Sequence, residues 1–426
     1  MTHLKFIASF LLIAGLVAFT SCEKDDDPGM LMLNAMTGAG TSLETGNQVN
    51  KDLNAATAAT DVPLDVEIEA TFSKDVDEAT VSNSTVTLSG NGDVSLTLTV
   101  DGEVVTIVPD QELARGTEYT LSLTNGIVAD DGGEFETVTR TFTTAGQGIV
   151  TPPQANAQIA YFTFNDNIDD HTGNYSIIEE NSSYEGFVED RFGYQSSAIQ
   201  MDGETNILDI ENDGNLISSS TTISYWFKTD LDDEHVANGM FLMGATAEYG
   251  FFFELGLLDE ENNPWIKIAT RHMAHPDATG NFESATAWGD AIKGEGLETG
   301  DIYDGSIKDM VDDKWVHFVL TYDHTTSMKR AYLNGTMVWE KDLAESDEWK
   351  MKEMHIDMES ATDASNNVGI GFAGSSDNHS TGWADYQTYI DQGENKTFFG
   401  MIDDVRFFNT ALTPTEVGNL YNDEKP

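Results

Sequence analysis

The segment Phe398–Tyr421 constrains this chain more tightly than any other: it reads as an extended strand, a reversal and one short helix. Thr413 is placed to cap the helix, and Glu416, three residues on, can reach back to complete a capping box. Pro414 then falls at the first helical position, where its missing N–H costs nothing. The strand before it carries two adjacent carboxylates, Asp403 and Asp404. Side chains alternate across a strand, so the two are expected on opposite faces. One of them must then be buried, and a buried carboxylate needs a cation, a basic side chain or backbone donors.

At the other end, Lys5 precedes a hydrophobic run from Phe6 to Phe19, too short to span a membrane, and small residues lead into Cys22. Cys22 is the only cysteine in 426 residues, so no internal disulfide can form. Phe19-Thr20-Ser21-Cys22 resembles a bacterial lipobox, in which the cysteine is lipidated and becomes the mature N-terminus. The resemblance implies a signal peptide over 1–21, and a chance cysteine behind an ordinary signal peptide is the alternative. The charged run Glu23-Lys24-Asp25-Asp26-Asp27 opens an acidic tether over 22–45. It also resembles the acidic signal that directs bacterial lipoproteins to the outer face of the outer membrane. The expected location is therefore the cell surface, with the membrane met only through the lipid anchor.

Acidic residues number 74 against 21 basic ones, for a formal net charge of −53. Such a surface repels nucleic acid and anionic lipid, and it leaves cations and neutral glycans as partners.

Over 46–146 short alternating runs follow one another with turn residues between them. Val66, Ile68, Ala70 and Phe72 form one run; Val94, Leu96, Leu98 and Val100 another; Asp101-Gly102 turns into Val104–Val108. Strands at this spacing without helices argue a β-sandwich. Asp61-Val62-Pro63, Gly116-Thr117-Glu118-Tyr119 and Phe142-Thr143-Thr144 resemble a bacterial Ig-like domain. It is read as a spacer, with binding of its own as the alternative. Residues 147–157, with Pro152-Pro153, form a stiff linker.

All seven tryptophans lie beyond that linker, in 158–423. Thr222-Ile223-Ser224-Tyr225-Trp226, Asp313-Lys314-Trp315-Val316-His317 and Ala331-Tyr332-Leu333-Asn334-Gly335 occur in order before Gly400-Met401-Ile402-Asp403-Asp404-Val405-Arg406. Together they resemble bacterial laminin-G-like jelly rolls of the concanavalin A-like lectin/glucanase fold. The fold class expected is all-β: an N-terminal Ig-like sandwich and a C-terminal concanavalin-like jelly roll closed by one short helix.

Three kinds of site are candidates. Asp166, Asp169 and Asp170 follow the first jelly-roll strand and Asp403 sits on the last, and these strands commonly lie side by side in that fold. The resemblance implies a structural Ca²⁺ there, which takes six to eight oxygens; the alternative is that the loop carboxylates only make turns. For carbohydrate, Trp288, Trp349, Trp383, Asp385, Tyr386, Tyr389 and Arg271 are candidates. Sugar sites pair aromatic platforms with Asp, Asn, Gln and Arg, and these residues stand in or beside long polar insertions. The alternative role for the loop aromatics is to plug loops onto the sandwich. Trp226 and Trp315 are placed on core strands. For catalysis, the nearest glucanase-like motif is His355-Ile356-Asp357-Met358-Glu359, with histidine where the nucleophile should stand. No catalytic residue is assigned. The expected function is non-catalytic capture of a polysaccharide, with a protein-binding adhesin or a diverged glycoside hydrolase or lyase as alternatives.

Overall fold

The computed structural model describes residues 29–237, 239–257, 263–274, 284–287, 291–292, 307–344, 351–357, 365–376 and 396–426. Ile68, Ala70 and Phe72, at every second position of the strand Glu67–Phe72, have no solvent-exposed surface. They face Leu121, Leu123 and Phe142 of a second sheet, so the period-2 pattern produces a sandwich. One of its five-stranded sheets runs Gln48–Asp52, Leu33–Thr41, Glu67–Phe72, Val104–Pro109, Leu96–Asp101. The other runs Ala59–Val62, Val138–Thr144, Glu118–Leu123, Val86–Ser89, Asp93–Val94.

Two expectations change in this domain. The stretch 22–45 is not a tether throughout: Leu31 is buried in the core, and Leu33–Thr41 pairs with two neighbours. Its glycines hid it. A Cβ on Gly38 would lie 2.8 Å from Val66 and one on Gly40 2.6 Å from Pro63, so bulky alternation is excluded where the strand crosses the core. The run Val94–Val100 is not one strand either. It breaks at Ser95, where the chain passes from one sheet to the other.

The C-terminal domain is a jelly roll of two larger sheets. The first runs Gly186–Val188, Ala198–Asp202, Phe399–Phe408, Thr221–Lys228, Val316–Asp323, Met328–Leu333, Thr336–Asp342. The first strand, Gln158–Phe162, pairs antiparallel with the closing strand Phe399–Phe408, side by side as expected. The second sheet runs Leu208–Ile210, Val368–Ile370, Met240–Ala245, Phe251–Leu257, Pro264–Ala274, Ser284–Ala287. Ile223, Tyr225 and Phe227 face it across the core, with Tyr225 6.2 Å from Phe253. The helix Pro414–Glu424 lies on the outer face of the first sheet, where Leu412, Val417 and Leu420 cover Val319, Tyr332 and Phe408. Trp226 is buried beneath that helix rather than between the sheets, stacked 5.8 Å from Tyr421. Trp315 is only half-buried, because its strand begins one residue later at Val316.

Candidate functional site

With one sheet covered by the helix, the outer face of the second sheet is the face on which ligand-binding groups can gather. On Pro264–Ala274, Ile266 and Ile268 point into the core, and His272 meets Tyr322 there. Alternation therefore sends Lys267, Ala269 and Arg271 outward. Lys267 lies 3.8 Å from Glu254 and 5.2 Å above the ring of Phe252. Arg271 donates from Nη2 to Asp357 Oδ2 at 2.6 Å, and its guanidinium stands 5.6 Å from the ring of Tyr249. Backbone bonds hold the group together: Arg271 N–H donates to Gly250 at 2.6 Å, and Asp357 N–H to Tyr249 at 2.7 Å. Arg271, Asp357 and Tyr249 thus form a planar cation, a carboxylate and an aromatic ring at one spot. Towards the neighbouring strands the face is covered by the segment Gly371–Ser376, whose Phe372 packs on Phe241 and Phe252. Gly244 permits this, since a Cβ there would meet the Ala373 backbone at 2.6 Å.

Under the helix lies a fully buried charge cluster. Arg191 donates to Asp403 and Asp404 at 2.5 Å each, to the Glu424 carbonyl at 2.8 Å and to Gln147 at 2.8 Å. Arg406 donates to Glu424 at 2.7 Å, to Gln158 at 2.6 Å and to the Val150 carbonyl at 3.4 Å. Burial alone would discharge Arg191, but Asp404 and Asp403 outweigh it and raise its pKa. Burial and then the adjacent Asp404 push the Asp403 carboxyl well above the usual range. The two aspartates are not on opposite faces. Asp404 has φ 47°, and three steps from Arg406 to Asp403 oppose two from Ser224 to Trp226. This bulge turns both carboxylates towards Arg191.

Residues 48–144 match the bacterial Ig-like domain family. No curated protein sequence matches this chain significantly. Among solved structures, the binding domain of Paraclostridial Mosquitocidal Protein 1 is similar at 15% identity and a TM-score of 0.37, over 63% of this chain and 52% of that one. The Botulinum neurotoxin serotype D binding domain is similar at 11% identity and a TM-score of 0.39, over 63% of this chain and 51% of that one. This chain thus spans about half the length of those toxin domains. Domain 4 of an extracellular GH43 arabinanase from Geobacillus stearothermophilus, solved with arabinotriose, is similar at 16% identity and a TM-score of 0.35, over 62% of this chain and 98% of that one. At identities and scores this low, function has to be read from the residues themselves.

Of the expected carbohydrate contacts, Arg271 lies on the outer face of the second sheet, with 15% of its side chain exposed. Trp288, Trp349, Trp383, Asp385, Tyr386 and Tyr389 lie outside the described residues, as does Cys22. Asp357, singled out only as part of a broken glucanase motif, is the partner of Arg271, and Tyr249 was not foreseen. Only their positions on facing loops bring them together, and spacing in sequence could not show that.

The four expected calcium ligands are not gathered: no three acidic, His or Cys side chains among the described residues surround a point that could hold a metal. Asp403 is taken by Arg191. Asp170 accepts from the N–H groups of Tyr161, Thr172, Asn174 and Tyr175 and from the Thr172 hydroxyl, at 2.7–3.0 Å. Its oxygens organise the loop, as in the turn reading.

Proposed function

We propose that this protein is a cell-surface lipoprotein, anchored through Cys22, that captures carbohydrate without cleaving it on the outer face of the second sheet of its jelly roll. The observation that carries this reading is the Arg271–Asp357–Tyr249 group on the sheet face left uncovered by the terminal helix. A fixed guanidinium–carboxylate pair supplies donors and acceptors to sugar hydroxyls, and a neighbouring ring offers a flat apolar surface to sugar C–H groups. Asp357 is engaged by Arg271, which suits it to holding a hydroxyl rather than to nucleophilic attack.

A protein-binding adhesin would call for a contiguous apolar patch. Among the described residues the large exposed apolar side chains are Met30, Met32, Ile149 and Met273, split between the two domains and the linker. A glycan array followed by affinity gels on the purified protein tests the reading. Arg271→Ala should weaken binding about 10- to 150-fold, the loss of one charge-assisted hydrogen bond at roughly 1.5–3 kcal/mol. Unchanged retention in a variant that melts like wild type would overturn it. Membrane partition of Cys22→Ala, expected to move to the soluble fraction, tests the anchor.

A further inference from the structure

The two domains do not hang from a free linker. Arg115 of the Ig-like domain donates to the Ser197 hydroxyl and, at 3.2 Å, to the Ser196 carbonyl. Gln195 N–H donates to the Leu43 carbonyl at 2.8 Å, and Arg191 holds Gln147 of the linker. Between the domains this leaves an open cleft of about 1070 Å³ with walls from both. We propose that this cleft is a second binding site, for an uncharged oligosaccharide. The proposal takes its ligand class from the function above but rests on a separate surface.

The cleft is preformed by its frame. Asp166 and Ser196 both line it and both hold left-handed backbone, φ 59° and 53°. Asp166 N–H donates to the Ser196 carbonyl at 2.9 Å, the same oxygen that Arg115 reaches from the other domain. A conformation of this kind costs non-glycine residues free energy and persists only where the surroundings impose it. Around this frame stand solvent-exposed polar side chains that are free to receive a ligand: the Asn91 amide, the His171 ring and the Asp166 carboxylate make no hydrogen bond to another protein group among the described residues. Ile149 lies in the same cleft with 48% of its surface exposed, although it follows a docked segment of the linker.

An exposed apolar side chain amid exposed donors and acceptors matches a sugar, which presents C–H faces and hydroxyls together. Charge narrows the class. Arg115 is already engaged, while Asp65, Glu112 and Asp166 repel uronates and sulfated chains. The Asn91 amide, the His171 ring and the Asp166 carboxylate then act as partners for neutral hydroxyls.

The test is calorimetry of the whole protein with cellohexaose, xylohexaose and a glucosamine hexamer as probes. Wild type should bind at least one neutral hexaose at two sites. Asp166→Asn combined with Ile149→Ser should weaken one of them at least tenfold, with an unchanged melting curve, since Asn also accepts left-handed backbone. Arg271→Ala should weaken the other. If only Arg271→Ala lowers affinity, the cleft proposal fails and the sheet-face reading stands. If only the cleft variant does, the sheet-face reading fails instead. Tenfold preference for the glucosamine hexamer at the cleft overturns the uncharged class. No binding to any probe overturns both sites.

Discussion

Glu424 lies between two arginines with no surface exposed to water, so replacing it should be felt throughout the jelly roll. Taking one partner from a buried ion pair costs roughly 3–5 kcal/mol, because the remaining charge stays buried without compensation. Glu424→Gln should therefore lower the unfolding free energy of this domain by roughly 3–5 kcal/mol, seen as a lower denaturation midpoint. Tryptophan fluorescence reads the domain selectively, since all seven tryptophans follow the linker. His317 gives a pH dependence in the same place. Burial, then the charges of Arg191 and Arg406, lower its pKa to about 3 from an ordinary 6.5. Below pH 6.5 the unfolded chain takes up a proton that the folded one refuses until about pH 3. The His317 contribution is thus intact above pH 6.5 and lost on acidification, at a limiting slope of about 1.4 kcal/mol per pH unit. His317→Gln should flatten the acid limb of a stability–pH profile followed by urea titration; an unchanged slope would show that the ring is protonated in the folded state.

At the scale of elements, the terminal helix was the most legible part of the chain. Thr413 accepts from Glu416 N–H at 3.3 Å, and Glu416 accepts from Thr413 N–H at 2.8 Å, so the box read from four residues is present with Pro414 at its expected place. Thr413→Ala should cost about 1 kcal/mol, visible as a lower midpoint in the same fluorescence titration without a change in slope. Where this helix ends was not legible. Glu424 lies beyond the segment read as the helix and is its anchor, and its partners Arg191 and Arg406 are remote in sequence. The strand Leu33–Thr41 was missed for the opposite reason: close packing demanded glycines, and glycines carry no alternation. The Asp404 bulge was hidden as well, since one added residue in a ladder leaves the strand's composition unchanged. On the outer face of the second sheet, Arg271 was identified from its residue type, whereas Asp357 and Tyr249 join it only through loop geometry.

For the whole molecule, the sequence indicated two all-β domains and a stiff connection, but not that they touch. Arg115→Ala removes the bonds to Ser196 and Ser197 and should broaden the distribution of interdomain distances measured by small-angle X-ray scattering. Each domain should keep its own melting transition, as the substitution lies outside both cores. An unchanged scattering profile would mean that the Gln195–Leu43 bond and the linker contacts suffice to fix the arrangement. Those contacts also decide how the protein would respond to being pulled. Tension between the domains would enter the jelly roll along 146–158, and the groups it meets there are Gln147, Val150 and Gln158. Each is gripped by an arginine that also holds Glu424, so the load would be shared with the last helix before it reaches the hydrogen bonds of the first strand. The far end of the chain thereby works as the fastener for its middle.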